Sequence, residues 1–335
     1  MSTSKRNGPA SRIAGTGSYV PERVVTNEDL AKLVETSDEW IRQRVGIRER
    51  RYAAPEQASS DLALEAARRA LEASGKLASD LDMIVVGTVT PDMPLPACAT
   101  FLQKKLGCKD IPSFDISAAC AGFVYALSIA DQFIRTGTNR TILVVGVETL
   151  SRITNFQDRN TCVLFGDGAG AVVLTRTDDE TSGQLLTTRI YTDSALSDSL
   201  CVPGGGSKEP LTVEGLSAQR SKVYMNGQDI FKVAVKKLTS ASLAAMKEAN
   251  LTPEQIDWVV PHQANLRIID QVAARLGVPY ERVIINIENR GNTSSASIPI
   301  ALDEAIRDGR IKPGHVVLMS ALGAGISWAS AIARL

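Results

Sequence analysis

Along most of the chain, apolar residues recur at spacings that switch between helix-like and strand-like. Ser60 to Ser74, SDLALEAARRALEAS, carries apolar residues at helical spacing behind a Ser/Asp start, and Gly75 follows where a helix would stop. Asp82 to Thr88, DMIVVGT, is a short apolar run that predicts a buried strand. The alternation continues with a helix over Ala97 to Leu106, a strand over Ser113 to Ile116 and a helix over about Ala121 to Thr136. Strands follow over Thr141 to Val147 and Gly170 to Leu174. Such alternation predicts a layered α/β protein.

The second half repeats the first. LASDLDMIVVGT, Leu77 to Thr88, lines up with LTPEQIDWVVPH, Leu251 to His262, and FLQKKLG is followed at the same distance by QVAARLG. FDISAACAGFVYAL faces NIENRGNTSSASIPIAL, and TILVVGVETL faces HVVLMSALGA. The offset stays between 170 and 175 residues (277 − 107, 292 − 120, 257 − 82). Four ordered blocks at one offset predict two copies of one βα unit, over residues 1–180 and 181–335. Residues 181–220, with the Gly- and Pro-rich VPGGGSKEP, have no evident counterpart and are expected to be an insertion. Two such halves packed face to face would bring equivalent turns together at one site.

Composition narrows the chemistry. The 335 residues are 44% hydrophobic and 22% charged, ordinary for a globular protein. Thirty-seven basic and thirty-seven acidic residues cancel, so no overall field draws the molecule to nucleic acid or a membrane surface. With no apolar run near the roughly 18 residues of a membrane span, the chain reads as soluble and cytoplasmic. Five cysteines, at spacings of no metal-ligand type, are expected to be free thiols. His262 and His315 are the only histidines, so a multi-histidine metal site is not expected.

Cys120 follows a predicted strand and precedes a predicted helix, where the helix dipole and free N–H groups would lower its pKa and favour the thiolate. It is a candidate nucleophile, although the position also suits a small buried apolar side chain. Cys98, Cys108, Cys162 and Cys201 have weaker contexts. His262, in PHQAN, lies at the carboxyl end of a strand, where α/β proteins place ligands, whereas His315 lies in a surface turn, KPGH. Asn292, in RGNTSSAS, falls in the turn aligned with that of Cys120, and could be a helix cap or a site residue. A thiolate, an imidazole and a carboxamide on such turns could attack a carbonyl and donate to the developing oxyanion. FGDGAG (165–170) and ALGAG (321–325) read as tight turns before strands, either structural or presenting backbone N–H groups. Five arginines, Arg42, Arg44, Arg48, Arg50 and Arg51, crowd one stretch in a pattern that suits phosphate. Lys232, Lys236 and Lys237, with Arg267 and Arg275, form a second basic group that suits an acidic protein or a solvated face.

ISAACAGF, PHQANLRI, GNTSSAS, FGDGAGA and TSDEWIRQRVGIRER together resemble β-ketoacyl-[acyl-carrier-protein] synthase III, the initiating condensing enzyme of type II fatty acid synthesis. The resemblance runs from about Ile13 to the C-terminus. It implies a thiolase-like fold, two related halves in a five-layered αβαβα core, and explains the duplication. It makes Cys120 the acylated nucleophile, and His262 with Asn292 one oxyanion hole. The backbone N–H groups of Cys120 and Ala324 would form the other, with alanine at 324 where many relatives have glycine. Trp40, Arg44 and Arg159 would bind coenzyme A, and Phe165 and Leu95 would bound the acyl pocket, Leu95 standing where many relatives carry Phe at the subunit boundary.

The resemblance further implies a cytoplasmic homodimer that condenses an acyl-CoA primer with malonyl-acyl-carrier protein and needs no metal or redox cofactor. Lys232, Lys236, Arg267 and Arg275 would dock the carrier. A secondary-metabolism relative with a different acceptor would share the same Cys/His/Asn set. A non-enzymatic acyl-binding scaffold would be expected to have lost Cys120 or His262.

Overall fold

The computed structural model describes residues 9–179 and 183–335, so the expected boundary between the halves, at 180–181, lies outside the described residues. The first half runs β1 (Ala10–Tyr19), β2 (Arg23–Thr26), α1 (Asn27–Ala31), α2 (Asp38–Val45), β3 (Glu49–Tyr52), α3 (Ser59–Ser74), β4 (Met83–Gly87) and α4 (Cys98–Leu106). It continues through β5 (Ser113–Ile116), α5 (Gly122–Arg135), β6 (Thr141–Thr149), α6 (Arg159–Cys162) and β7 (Asp167–Thr177). The second half runs β8 (Gln184–Thr192), β9 (Leu200–Cys201), α7 (Val213–Ser217), β10 (Tyr224–Met225), α8 (Gly227–Glu248) and β11 (Trp258–Pro261). It ends with α9 (Leu266–Leu276), α10 (Ile287–Arg290), α11 (Ser297–Arg307), β12 (Val316–Gly323) and β13 (Ser327–Arg334).

The two main sheets, β1-β7-β6-β4-β5 and β8-β13-β12-β11, share one order and one pattern of parallel and antiparallel neighbours. In the second sheet the fifth position is reduced to a single parallel bridge between Val259 and Val283. β8 is thus the partner of β1 in the repeat, so the expected insertion at 181–220 is corrected: only the stretch after β8 interrupts the copy.

Strand alternation builds the layers. Met83 and Val85 of β4, with Ile142 and Val144 of β6, face a central core, while Ile84, Val86, Leu143 and Val145 face α3 and α4. In the second half Val317 and Met319 of β12 face the same central core, and Val316 and Leu318 face α8 and α9. α5 packs on both sheets and is buried on most sides; α3 buries a single stripe, Leu62, Ala63, Ala66, Ala67, Ala70 and Leu71. Phe123, Leu127 and Ile134 of α5 are fully buried, each stabilising by roughly 1.5–3 kcal/mol. The result is an αβαβα stack.

The inner helices approach their sheets closely because glycine lies beneath them. A Cβ on Gly87 would meet the Gly122 carbonyl carbon at 2.5 Å, and one on Gly146 would collide with the Ser295 carbonyl. FGDGAG is not a turn: Asp167 to Gly170 lie within β7, where a Cβ on Gly170 would strike Pro299 and Ile300 of α11.

The offset is sharper than the sequence alignment suggested. β4, α5 and β6 start 175 residues before β11, α11 and β12 (258 − 83, 297 − 122, 316 − 141). Ala119 (φ 45) and Ser294 (φ 48), both non-glycine residues in the left-handed region, are related by that same offset. Cys120 therefore corresponds to Ser295, and the alignment of Cys120 with Asn292 is corrected by three positions.

Candidate active site

Between the halves lies a cavity of about 680 Å³, lined by Cys120 and Phe165 of the first copy and His262, Asn292 and Leu322 of the second. Each residue is held by backbone that the repeat supplies. Cys120 sits on a 3-10 turn, Ala119–Ala121, that leads into α5, whose start has no side-chain cap. His262 follows β11, and its backbone N–H extends the pairing with β12 by donating to Ser320 O at 2.8 Å. Asn292 donates its N–H to Leu164 O (2.8 Å) and accepts from Gly166 N (2.9 Å), so it shares a bridge with Phe165 across the two halves.

The side chains are set for donation. Asn292 Oδ1 accepts from Ser294 N at 2.8 Å, which turns the Nδ2 hydrogens toward the cavity. His262 is 5% exposed, and neither ring nitrogen has a partner among the described residues. A buried imidazole with both nitrogens unpaired, lining a cavity, points to a ligand that completes it. Burial pushes its pKa down to about 3, so the ring is neutral and offers one N–H donor. Gln263 had gone unnoticed in the sequence: it is buried, donates to Pro261 O and Ile284 O, and accepts from Asn286 N and Ile287 N, fixing the loop behind His262.

The Cys120 thiol departs from expectation. Burial, with a smaller contribution from the nearby Glu148 carboxyl and opposed by the Ser294 hydroxyl, pushes its pKa up to about 12. The expected resting thiolate is corrected to a thiol, because desolvation outweighs what the helix start offers. Glu148 is the second residue not anticipated: it is fully buried near Cys120, and burial raises its pKa to about 7.

Alanine at 324 causes no backbone strain. The positive φ in that turn falls on Gly325 (φ 127), not on Ala324. Gly323, just before it, lies against the Cys120 backbone: a Cβ there would be 2.5 Å from Cys120 N.

At the cavity mouth, Ser37 caps α2 and Gly46 (φ 85) ends it. Ile41 is buried, while Trp40 and Arg44, one turn apart, line the cavity together with Val45. The guanidinium groups of Arg159 and Arg44 lie 4.9 and 5.8 Å from the Trp40 ring centre. The five-arginine run does not act as a unit. Arg50 is fully buried and donates to Val25 O, Asn27 Oδ1 and Val163 O, so it is structural, while Arg42, Arg48 and Arg51 pair with Asp38, Glu288 and Glu49.

Lys232 and Arg267 line the other side of the mouth, with Arg267 5.5 Å from the Phe231 ring. Lys236 and Arg275 are exposed farther out. None of these four forms an ion pair among the described residues, whereas Lys237 is engaged by Asp193 and the Trp328 ring. Leu95 does not line the cavity in the single chain, where it is 84% exposed. His315 Nδ1 accepts from Trp258 Nε1 and Lys312 N, a structural role. All five cysteines are free. Among the described residues no cluster of three or more His, Cys, Asp or Glu is placed to hold a metal, and no helix is long and apolar enough to cross a membrane.

Sequence profiles described as 3-oxoacyl-[acyl-carrier-protein] synthase III and its C-terminal region match residues 114–194 and 246–335. A β-ketoacyl-[acyl-carrier-protein] synthase III from Caldanaerobacter subterraneus subsp. tengcongensis is 50% identical over 97% of this chain and 98% of that protein. The crystal structure of 3-oxoacyl-[acyl-carrier-protein] synthase III from Aquifex aeolicus VF5 superposes with a TM-score of 0.89, covering 97% of this chain and 100% of that one at 43% identity. The priming β-ketosynthase of the R1128 polyketide pathway gives 0.89 over 98% and 97%, at 36% identity. Likeness of this extent in sequence and fold settles the family: the chain belongs to the β-ketoacyl-[acyl-carrier-protein] synthase III family of acyl-transferring condensing enzymes.

Proposed function

We propose that this protein condenses an acyl-CoA primer with malonyl-acyl-carrier protein to give 3-ketoacyl-carrier protein, coenzyme A and CO₂. The observation that carries the reading is the convergence of the Cys120 thiol, a neutral His262 with unpaired nitrogens and the Asn292 Nδ2 on one cavity. The thiol sulfur attacks the primer carbonyl, whose oxygen is received by the backbone N–H groups of Cys120 and Ala324, and coenzyme A leaves. The malonyl thioester then takes its place with its carbonyl oxygen on His262 and Asn292. Loss of CO₂ leaves an enolate held by those two donors, and its carbon attacks the acyl-cysteine. Trp40, Arg44 and Arg159 hold the coenzyme A end of the primer, a role supported by their grouping at the mouth.

The half-reactions separate the roles. Cys120→Ala abolishes acylation by acyl-CoA in intact-mass measurements. His262→Ala and Asn292→Ala leave acylation largely intact and slow malonyl decarboxylation by roughly 10²- to 10³-fold. Equal loss in both half-reactions would overturn the assignment.

Lys232, Lys236, Arg267 and Arg275, none of them in an ion pair among the described residues, support docking of an acidic carrier protein. Reversing Lys232 and Arg267 to Glu raises KM for malonyl-carrier protein and weakens its salt dependence, with little change for acyl-CoA. The exposed Leu95 and Met93 support a homodimer through the first half, tested by sedimentation. The polyketide-priming neighbour favours one second reading, the same fold serving a secondary-metabolite acceptor. A charge reversal that leaves carrier kinetics untouched favours that reading.

A further inference from the structure

Glu148 stands near the end of β6, fully buried, with a carboxyl that reaches residues of both halves. Oε2 accepts from Thr90 Oγ1 at 2.6 Å, Val89 N at 3.1 Å and Thr88 Oγ1 at 3.3 Å, all in the loop that follows β4. Oε1 accepts from Ser294 Oγ of the second half at 3.1 Å. Ser295 Oγ lies equally close to Oε1, but its one hydrogen has a nearer acceptor in Gly87 O at 2.7 Å. Ser294 is therefore the residue through which the carboxyl grips the second half.

Ser294 lies two residues past Asn292 and holds its side chain: Ser294 N donates to Asn292 Oδ1 at 2.8 Å. That bond decides which way the carboxamide faces, leaving the Nδ2 end to the cavity. The Asn292 backbone is fixed separately, by its bridge to Phe165. The direction of its carboxamide thus depends on where Ser294 N points. Ser294 holds φ 48, a left-handed conformation that a residue with a side chain keeps only where its surroundings impose it. The tie from Ser294 Oγ to Glu148 supplies such a restraint, and the loop 88–90 anchors its other end.

We propose that Glu148 is a positioning residue for the second half-reaction: by holding Ser294 it fixes the Asn292 carboxamide, and with it the donor offered to the malonyl thioester carbonyl. The proposal rests on the condensing reaction given above.

A carboxylate suits the place because both of its oxygens accept. Val89 N can only donate, so in Glu148→Gln the amide oxygen stays with the loop 88–90 and the NH₂ turns toward Ser294. The Ser294 hydroxyl then loses its acceptor in a buried site, and the turn relaxes. The repeat supplies a second variant. Ala119, at φ 45, is the first copy's equivalent of Ser294, so alanine fits this backbone. Ser294→Ala cuts the tie to Glu148 and keeps the N–H that holds Asn292.

The test measures the two half-reactions separately: acylation of Cys120 by acyl-CoA, read by intact mass, and decarboxylation of malonyl-carrier protein, read by CO₂ release. Glu148→Gln and Ser294→Ala are each expected to slow decarboxylation by roughly 10- to 100-fold without slowing acylation. On an Asn292→Ala background neither adds more than about twofold, since the group they position is gone. A purely structural role would slow both half-reactions and would add in full on that background, and either result overturns the proposal. So does decarboxylation at the wild-type rate in both variants. Ser294→Ala decides the matter if Glu148→Gln does not fold. The Asn292 side-chain amide, labelled with ¹⁵N-asparagine and identified by its loss in Asn292→Ala, gives a readout besides activity. Its NMR signal is expected to broaden or split in both variants, and an unchanged signal overturns the proposal. If the wild-type protein neither acylates nor decarboxylates, the condensing reading fails instead, and this signal still judges the positioning.

Discussion

Gly323→Ala isolates the close approach between the end of β12 and Cys120. The backbone there has φ −135 and ψ −174, open to any residue, so the substitution meets no conformational objection. Space is the obstacle. The new Cβ would lie 2.5 Å from Cys120 N and 3.0 Å from both Ala118 O and Ala119 Cβ, whereas real Cβ contacts essentially never fall under 3.0 Å. The Cys120 turn and the β12 end must therefore separate by about half an ångström or more, and each neighbour is backbone or a short side chain that cannot swing aside. Overpacking of this kind costs about 1–3 kcal/mol. The larger effect falls on chemistry, since misplacement of reacting groups on the order of 1 Å costs roughly 10²-fold. The assay pairs thermal denaturation with single-turnover acylation. The expected outcome is a folded protein with a modestly lowered Tm and an acylation rate reduced by about 10- to 100-fold. Full acylation at wild-type rate would refute the claim that Gly323 sets the position of the Cys120 N–H.

Trp40→Ala removes the ring beneath Arg159 and Arg44, and KM for acyl-CoA should rise about fivefold, from roughly 1 kcal/mol, with kcat little changed in steady-state kinetics. Arg50→Met should destabilise by about 1.5–3 kcal/mol in urea unfolding, because Asn27 and two carbonyls lose a charged donor, while KM for acyl-CoA stays put. His262 is held neutral to about pH 3 in the fold but ionises near 6.5 when unfolded. The unfolded chain then binds more protons, so stability falls as pH drops from 6.5 toward 3, and His262→Gln flattens that part of the urea-midpoint profile. Glu148 has the opposite sign. Raised from 4.5 to about 7, it lets the native state hold the extra proton, so its contribution is lost as pH rises through that window, and Glu148→Gln removes the slope.

The elements that periodicity could reach were legible. The helix expected over Ser60 to Ser74 is observed as Ser59–Ser74, and the strand expected over Ser113 to Ile116 matches its bounds, because each has a clear apolar pattern between breakers. Cys120, His262 and Asn292 stand out in the sequence because each lies in a turn where an apolar run stops, and all three line the one cavity. Burial of polar groups was not legible. Arg50 looks like its exposed neighbours in the sequence, but it lies on the inner side of β3, and alternation along four residues of mixed charge gives no hydrophobic signal. Glu148 is a lone carboxyl in the run TILVVGVETL, and its hydroxyl partners come from positions about 60 and 146 residues away. The repeat was visible, but insertions between its blocks let the alignment slip by three residues at Asn292. The paired positive φ values at Ala119 and Ser294 restored the register.

Register has a consequence for stoichiometry. The residue in the second copy that matches Cys120 is Ser295, which does not line the cavity; its hydroxyl bonds Gly87 O at 2.7 Å and Glu148 at 3.1 Å. Duplication thus produced two equivalent turns with a division of labour: one carries the sulfur, and the other fastens the first copy's sheet from behind. A chain so built is expected to hold one acyl group. Saturating labelling should plateau at one equivalent per polypeptide, and Ser295→Cys should not raise that ceiling, since a thiol there would face the interior of the opposite half.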